Sequence, residues 1–338
     1  MEFGYFMRGQ YPQGVDMQEK FAESVEAARL ADRLGFSYIL KGQHYATYPL
    51  QQFQQVPFLS RIMVEAPNAK IVTGIVLLPL HKPLDIAEQL ATVDVMSGGR
   101  LVFGSGIGYR DVEFKAFGTS QKERAKRFEE NLTAIRRLWT EEEVTMKASH
   151  FELDEARISI RPVQKPTPPF WIGANNDVAV RRAARMADTW FINPHQRMDT
   201  IARQLGIYRQ ALEAEGKDDP KVLPLMRECF VAETDEKAIA LARPYLEAKY
   251  KSYHDWGQDK AMPKGDDDLD LPFEELTKDR FLLGSPDRVA EQIIGYGRTL
   301  GVNAMILGIQ WVGMPHSQVT DTMRLFAEEV MPRVRQGL

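Results

Sequence analysis

Residues 70–109 run KIVTGIVLLPLHKPLDIAEQLATVDVMSGGRLVFGSGIGY. Lys70–Leu78 is apolar enough and long enough for a strand buried on both faces. Lys82–Met96 repeats its apolar side chains near helical spacing, and the Ser97-Gly98-Gly99 turn closes it. Arg100–Phe103 (RLVF) is a second strand, and it runs into a loop rich in glycine. Strand, helix and strand in this order form one βαβ unit, with parallel strands and the helix packed outside the sheet.

The same alternation continues in both directions. Upstream, the strand Glu2–Phe6 (EFGYF) precedes a helix over Met17–Leu34, and Ser37–Leu40 (SYIL) precedes a short helix near Pro57–Glu65. Downstream, Gln121–Thr140 is helical, Phe170–Ile172 (FWI) enters a helix over Asn176–Ala187, and Thr189–Ile192 (TWFI) one over Met198–Ala214. Leu223–Val231 precedes Asp235–Tyr250. Pro286–Leu300 is the next helix, Asn303–Ile309 a strand and Ser317–Val334 the closing helix. Eight β–α steps predict a closed α/β barrel of the (β/α)8, TIM-like kind rather than an open sheet. Glu141–Thr167 departs from the repeat and predicts an appended hairpin. Lys251–Lys278, with its DDDLD run, predicts a long loop or lid. Residues 1–338 thus read as one barrel domain with insertions at 141–167 and 251–278.

Composition removes several classes of function. The 43 basic and 47 acidic residues give a formal charge of −4 and a pI of about 6.0. No global field would draw in nucleic acid or anionic membrane. The lone Cys229 excludes an intramolecular disulfide framework and a cysteine-based metal site. The six histidines fall at no metal-ligand spacing, so no metal is expected. No apolar run approaches the roughly 20 residues of a membrane span, and the start MEFGYFMRGQ lacks a signal pattern. A cytoplasmic protein is the expectation.

Chemistry is sought at the C-terminal ends of the strands, where barrels carry their sites. Gly104-Ser105-Gly106-Ile107-Gly108-Tyr109 lets backbone approach a ligand, but it breaks the dinucleotide fingerprint, because Tyr109 stands at the third glycine. No helix is expected directly after it. Gly173-Ala174-Asn175-Asn176 leads from strand to helix and offers free N–H groups suited to phosphate, although either asparagine also reads as an ordinary cap. Ser285-Pro286 is explained as a helix start alone. His44, just past its strand in KGQHYATYP, is the histidine placed for chemistry, with Glu113 a candidate partner. Phe6, Met7, Tyr11, Tyr45, Tyr48, Trp190, Phe191 and Trp311 gather near strand ends and predict an apolar pocket, with Met7, Tyr11, Tyr45, Trp190 and Trp311 as its walls.

These features resemble the bacterial luciferase-like monooxygenase family. The resemblance lies in Lys70–Gly118, KGQHYAT, PPFWIGANN and GSPDRVAEQI, in the family's order over nearly the whole chain. It implies a barrel holding reduced FMN, or a reduced deazaflavin, at its mouth. Thr73, Gly74 and Ile75 would lie behind the ring system, with a non-proline cis peptide near Gly74–Ile75. Gly106, Ile107, Gly108 and Tyr109 would border the ring, and Gly173, Ala174, Asn175 and Asn176 would take the phosphate. His44 would face flavin and substrate, with Gln43 and Glu113 behind it. Gln43 replaces a glutamate found in many members, and Ile107 an arginine of luciferase itself, which argues against light emission.

The implied activity is reduced-FMN-dependent monooxygenation. One atom of O2 would pass, through a flavin hydroperoxide, to a small and rather apolar organic substrate. A separate flavin reductase and a homodimer are the expected partners. The alternatives are a deazaflavin-dependent dehydrogenase or reductase, and a flavin-binding protein without turnover.

Overall fold

The computed structural model describes residues 1–338, and its centre is a closed ring of eight parallel strands. These are β1 (Glu2–Met7), β2 (Tyr38–Lys41), β3 (Lys70–Thr73), β4 (Leu101–Gly106), β5 (Phe170–Ala174), β6 (Thr189–Ile192), β7 (Pro224–Val231) and β8 (Ala304–Gly308). Each pairs with the next, and β8 closes on β1 with Glu2 opposite Ala304 and Tyr5 opposite Leu307. The expected barrel is thereby borne out. Helices wrap it, and the core outside the ring runs continuously from Phe3 on β1 to Val334 near the C-terminus.

Alternation along each strand sorts side chains between lumen and wall. Phe6, Leu40, Val72, Trp171, Phe191 and Met226 fill the lumen, while their neighbours Tyr5, Met7, Ile172 and Trp190 pack outward under the helices. Each large apolar side chain buried this way contributes about 1.5–3 kcal/mol from removal of its surface from water.

Several elements differ from expectation where local geometry overrides composition. The apolar run after Lys70 is not one strand. It ends at Thr73, and after a cis Gly74–Ile75 bond Val76–Leu77 rejoins the sheet beside Ser105 and Gly106. The stretch after the glycine loop contains a short helix, Asp111–Ala116. Phe281–Gly284 is an additional strand that pairs with the second half of β7. The helix Asp235–Asp255 runs five residues past Tyr250, so the lid region opens as helix. Beyond it Asp266, fully buried, is bonded to Arg280 and Arg197, each at 3.1 Å, and ties that segment down. Val144–Lys147 and Glu152–Ala156 form the antiparallel hairpin expected in the first insertion. No helix is long and apolar enough to cross a membrane.

Candidate active site

A cavity opens at the C-terminal ends of the strands, bordered by residues that follow β1 through β7. Its lining includes Arg8, Arg124, His44 and His195 but no aspartate or glutamate. Burial keeps His195 neutral and Arg8 is paired with Glu228 behind the wall, so the unbalanced charge of the lining is chiefly that of Arg124.

His44 stands three residues past β2. Its Nδ1 lies 2.9 Å from Glu113 Oε1, and the same oxygen accepts the Tyr45 N–H at 2.9 Å and Arg110 Nη1 at 3.3 Å. Glu113 is fully buried, turned inward by the short helix Asp111–Ala116. A carboxylate already receiving two donors accepts from the imidazole as well, so Nδ1 carries a proton and, in the neutral ring, Nε2 offers a lone pair. The His44 ring meets Tyr109 edge-on at 5.9 Å and Trp256 at 5.8 Å. Arg110 stacks on Trp256 at 4.3 Å and donates to the carbonyls of Tyr45 and Ala46. One arginine thus joins the Trp256 segment, the carboxylate and the His44 loop. Gln43 lines the cavity away from this pair, its Oε1 accepting from Leu77 N–H at 2.8 Å and His81 Nε2 at 3.2 Å. Burial pushes His81 down to about 4, which leaves it neutral at pH 7.

The floor is built by close approach. Thr73 Oγ1 receives the Gly104 N–H and donates to the Gly104 carbonyl, both at 2.9 Å. Ile75 presses over β4 and β5: a Cβ added to Gly106 would lie 2.1 Å from Ile75 Cδ1, and one on Gly173 at 3.3 Å. Thr73 and Gly106 therefore sit behind the surface, while Gly74, Ile75, Ile107, Gly108 and Tyr109 form it.

At one end, Gly173, Ala174, Asn175 and Asn176 lead into the helix Asp177–Met186. Asn176 caps that helix, its Oδ1 accepting from Ala179 N–H at 3.0 Å. Asn175 is fixed by Asn193, Gln196 and Gln204. Asp177, which would oppose an anion here, is turned to Arg203 at 2.8 and 2.9 Å. Arg124 lines the same cavity; it bonds only the Gly108 carbonyl and Gln121, both at 3.0 Å, with no carboxylate partner. An unpaired guanidinium near a capped helix N-terminus fits a phosphate.

The five residues expected as pocket walls lie elsewhere. Met7 and Tyr11 border a second cavity outside the ring. Tyr45 packs on Phe117 at 4.6 Å. Trp190 points outward and donates to the Ala174 carbonyl at 3.0 Å, while Trp311 donates to Glu228 at 2.6 Å. Phe6 and Phe191, one position along, and Met226 on the strand next to β6 take the lumen side instead. Arg8, Arg124, Asn193, His195 and Tyr253 line the cavity without having been expected there. The KGQH, GSGIGY and GANN turns carried a local signal, whereas these five are brought in by ring closure, by the start of the helix Arg124–Thr140 and by the helix Asp235–Asp255.

The family model described as luciferase-like monooxygenase matches residues 1–304. The chain belongs to this family. Luciferase-like monooxygenases include flavin- and deazaflavin-dependent oxidoreductases, and the chain is an oxidoreductase of that class. It is 26% identical over 328 residues to the FMNH2-dependent dimethylsulfone monooxygenase of Pseudomonas putida, covering 91% of this chain and 86% of that one. It is 28% identical to the F420-dependent glucose-6-phosphate dehydrogenase of Nakamurella multipartita, over 80% of both chains. Among solved structures, monooxygenase RslO1 from Streptomyces bottropensis superposes with a TM-score of 0.82 at 27% identity, covering 98% of this chain and 99% of that one.

Proposed function

We propose that this luciferase-like chain is a reduced-FMN-dependent monooxygenase acting on a small, rather apolar organic molecule. The observation that carries the reading is the phosphate end of the cavity. One carboxylate-free arginine, Arg124, and one helix N-terminus suit a single phosphate, the charge FMN carries. A deazaflavin cofactor with a long polyanionic tail would ask for more cations than this end provides. The neighbouring lining of Gly74, Ile75, Ile107 and Tyr109 carries no charged side chain and suits the face of a tricyclic ring.

When bound, reduced FMN supplies the two electrons that activate O2. The chain supplies the surroundings. Ile75, Phe6, Phe191 and Met226 exclude water from the reacting centre, and Trp256 on the lid closes over His44. His44 Nε2 accepts or returns a proton, and Glu113 holds the ring in the tautomer that permits it. The flavin-dependent trigonelline monooxygenase of Acinetobacter baylyi, 23% identical, is named as an oxygenase component, which supports a separate flavin reductase as the source of reduced cofactor here.

Anaerobic titration with reduced FMN, reduced riboflavin and a reduced deazaflavin, followed by oxygen, tests this reading. Tighter binding of FMN than of riboflavin, with oxygen consumption that depends on FMN, is expected. Binding of the deazaflavin alone would replace the reading with hydride transfer. FMN binding without any oxygen or hydride chemistry would make the chain a carrier.

A further inference from the structure

Arg8, just past β1, stands across the ring from the Asn175–Asn176 turn, because β1 and β5 are opposite members of an eight-strand ring. Its Nη2 donates to both oxygens of Glu228 at 3.0 and 3.1 Å, Nη1 to Tyr253 Oη at 2.6 Å, and Nε to the Gln310 carbonyl at 3.3 Å. Glu228, fully buried on β7, also receives Lys249 Nζ and Trp311 Nε1. On the far side of Arg8, the buried Lys41 donates to the Arg8 carbonyl at 2.7 Å. Two basic side chains, Arg8 and Lys249, therefore share one carboxylate, and Lys41 lies behind the Arg8 backbone.

Burial opposes the charge on Glu228, yet Arg8 and Lys249 hold it down at about 2, so it is an anion. Burial, with Arg8 adding to it, brings both Lys41 and Lys249 down to about 7. Groups of buried charge generally return less than their desolvation costs, so stability alone gives no reason for surplus cation here. Several hydrogen-bonding groups at this wall are unspent. Arg8 Nη1 has a second N–H, and Tyr253 accepts from Arg8 while its own proton has no acceptor. His195 meets Tyr250 Oη through Nδ1 at 3.2 Å, and its Nε2 has no protein partner. Arg8, Tyr253 and His195 all line the cavity, with Phe6 and Met226 beside them.

We infer that this wall seats an oxyanion of the substrate: a carboxylate or sulfonate end docks on Arg8, Tyr253 and His195, while the carbon skeleton lies over Phe6 and Met226. The inference rests on the monooxygenase reading and adds the substrate's chemical class to it. Anion and cofactor phosphate then occupy opposite sides of the mouth, with the apolar floor between them.

Calorimetric titration tests this without turnover. A series of straight-chain and aromatic carboxylic acids and sulfonates, each matched with its neutral amide, is titrated with and without oxidised FMN. At least one acid should bind about tenfold or more tighter than its amide, the scale of a charge-assisted hydrogen bond. Tyr253→Phe keeps the ring packed on His195 and Trp256, and should lose most of that preference with amide binding unchanged. Arg8→Gln combined with Glu228→Gln leaves no buried carboxylate without its partner, and should lose it too. No acid bound, no acid preferred over its amide, or competition between acid and FMN would each overturn the seat. Acid preference in a protein that fails to bind FMN would overturn the cofactor reading alone.

Discussion

His44 and Glu113 are 69 residues apart in the chain and 2.9 Å apart in the fold. If Nε2 of His44 handles protons, His44→Asn should lower the single-turnover rate about 100-fold or more, with reduced-flavin affinity nearly unchanged. Glu113→Gln, which no longer fixes the tautomer, should lower the rate by a smaller factor and shift its pH profile. A folded His44→Asn variant with an unimpaired rate would remove the proton-handling role. At the phosphate end of the cavity, Asn176→Asp keeps the cap, since aspartate accepts from Ala179 N–H equally well. It adds a negative charge where phosphate is expected, so FMN affinity should fall by tenfold or more while riboflavin affinity holds. Equal losses for the two ligands would dismiss the phosphate assignment. Of this pair of sites, His44 was legible because it directly follows a readable strand. Glu113 was legible only as a candidate: nothing in DVEFKA announces that a short helix will bury its third residue.

The lid adds one more contact to the site, and its Trp256 grips Arg110 rather than the barrel core. Removing that aromatic face in Trp256→Ala should leave thermal stability within a few degrees, because surface-adjacent truncations cost little. Water then reaches the reacting centre, and more hydrogen peroxide should be released for each FMN oxidised. An unchanged ratio of peroxide to product would show that Trp256 does not seal the mouth. Strands were legible as elements because their apolar runs are long and bounded by turns. Which face of each strand looks inward was not, since a strand buried on both sides carries no alternation of polarity. Phe6 and Met7, or Trp190 and Phe191, are equally apolar, and only ring closure sorts them. The break after Thr73 escaped for a related reason, because GIV is as apolar as the strand before it. Phe281–Gly284 escaped because it adjoins the charged loop on one side and the helix start Ser285-Pro286 on the other, with no turn signal to bound it.

Across the whole molecule, Lys41 offers a measurable signature of what burial costs. Burial and Arg8 lower its pKa from 10.5 to about 7. Between those two values the unfolded chain binds a proton that the folded chain has released, so stability rises with pH through that window. Below about 7 the lysine is protonated in both states, and the slope from this group vanishes. The melting temperature should therefore climb from pH 7 to pH 9, and Lys41→Met should flatten the climb. Parallel curves for the two proteins would show that Lys41 is charged throughout.

The pairing of Glu2 with Ala304 also sets a timetable. Strand β1 is among the first segments made, yet one of its two neighbours is among the last. At about 5–20 residues per second, synthesis leaves that edge waiting for roughly 15–60 s. Through that interval its free N–H and C=O groups are open to any strand that drifts past, in this chain or another. Ribosomes arrested before codon 304 should carry a nascent chain that proteases cut readily and that holdase chaperones retain. Arrest far enough beyond residue 308 for β8 to clear the exit tunnel should yield a protected barrel. Protection already complete before β8 emerges would mean that seven strands hold together as an open sheet, and that closure comes as a late embellishment rather than as the folding event.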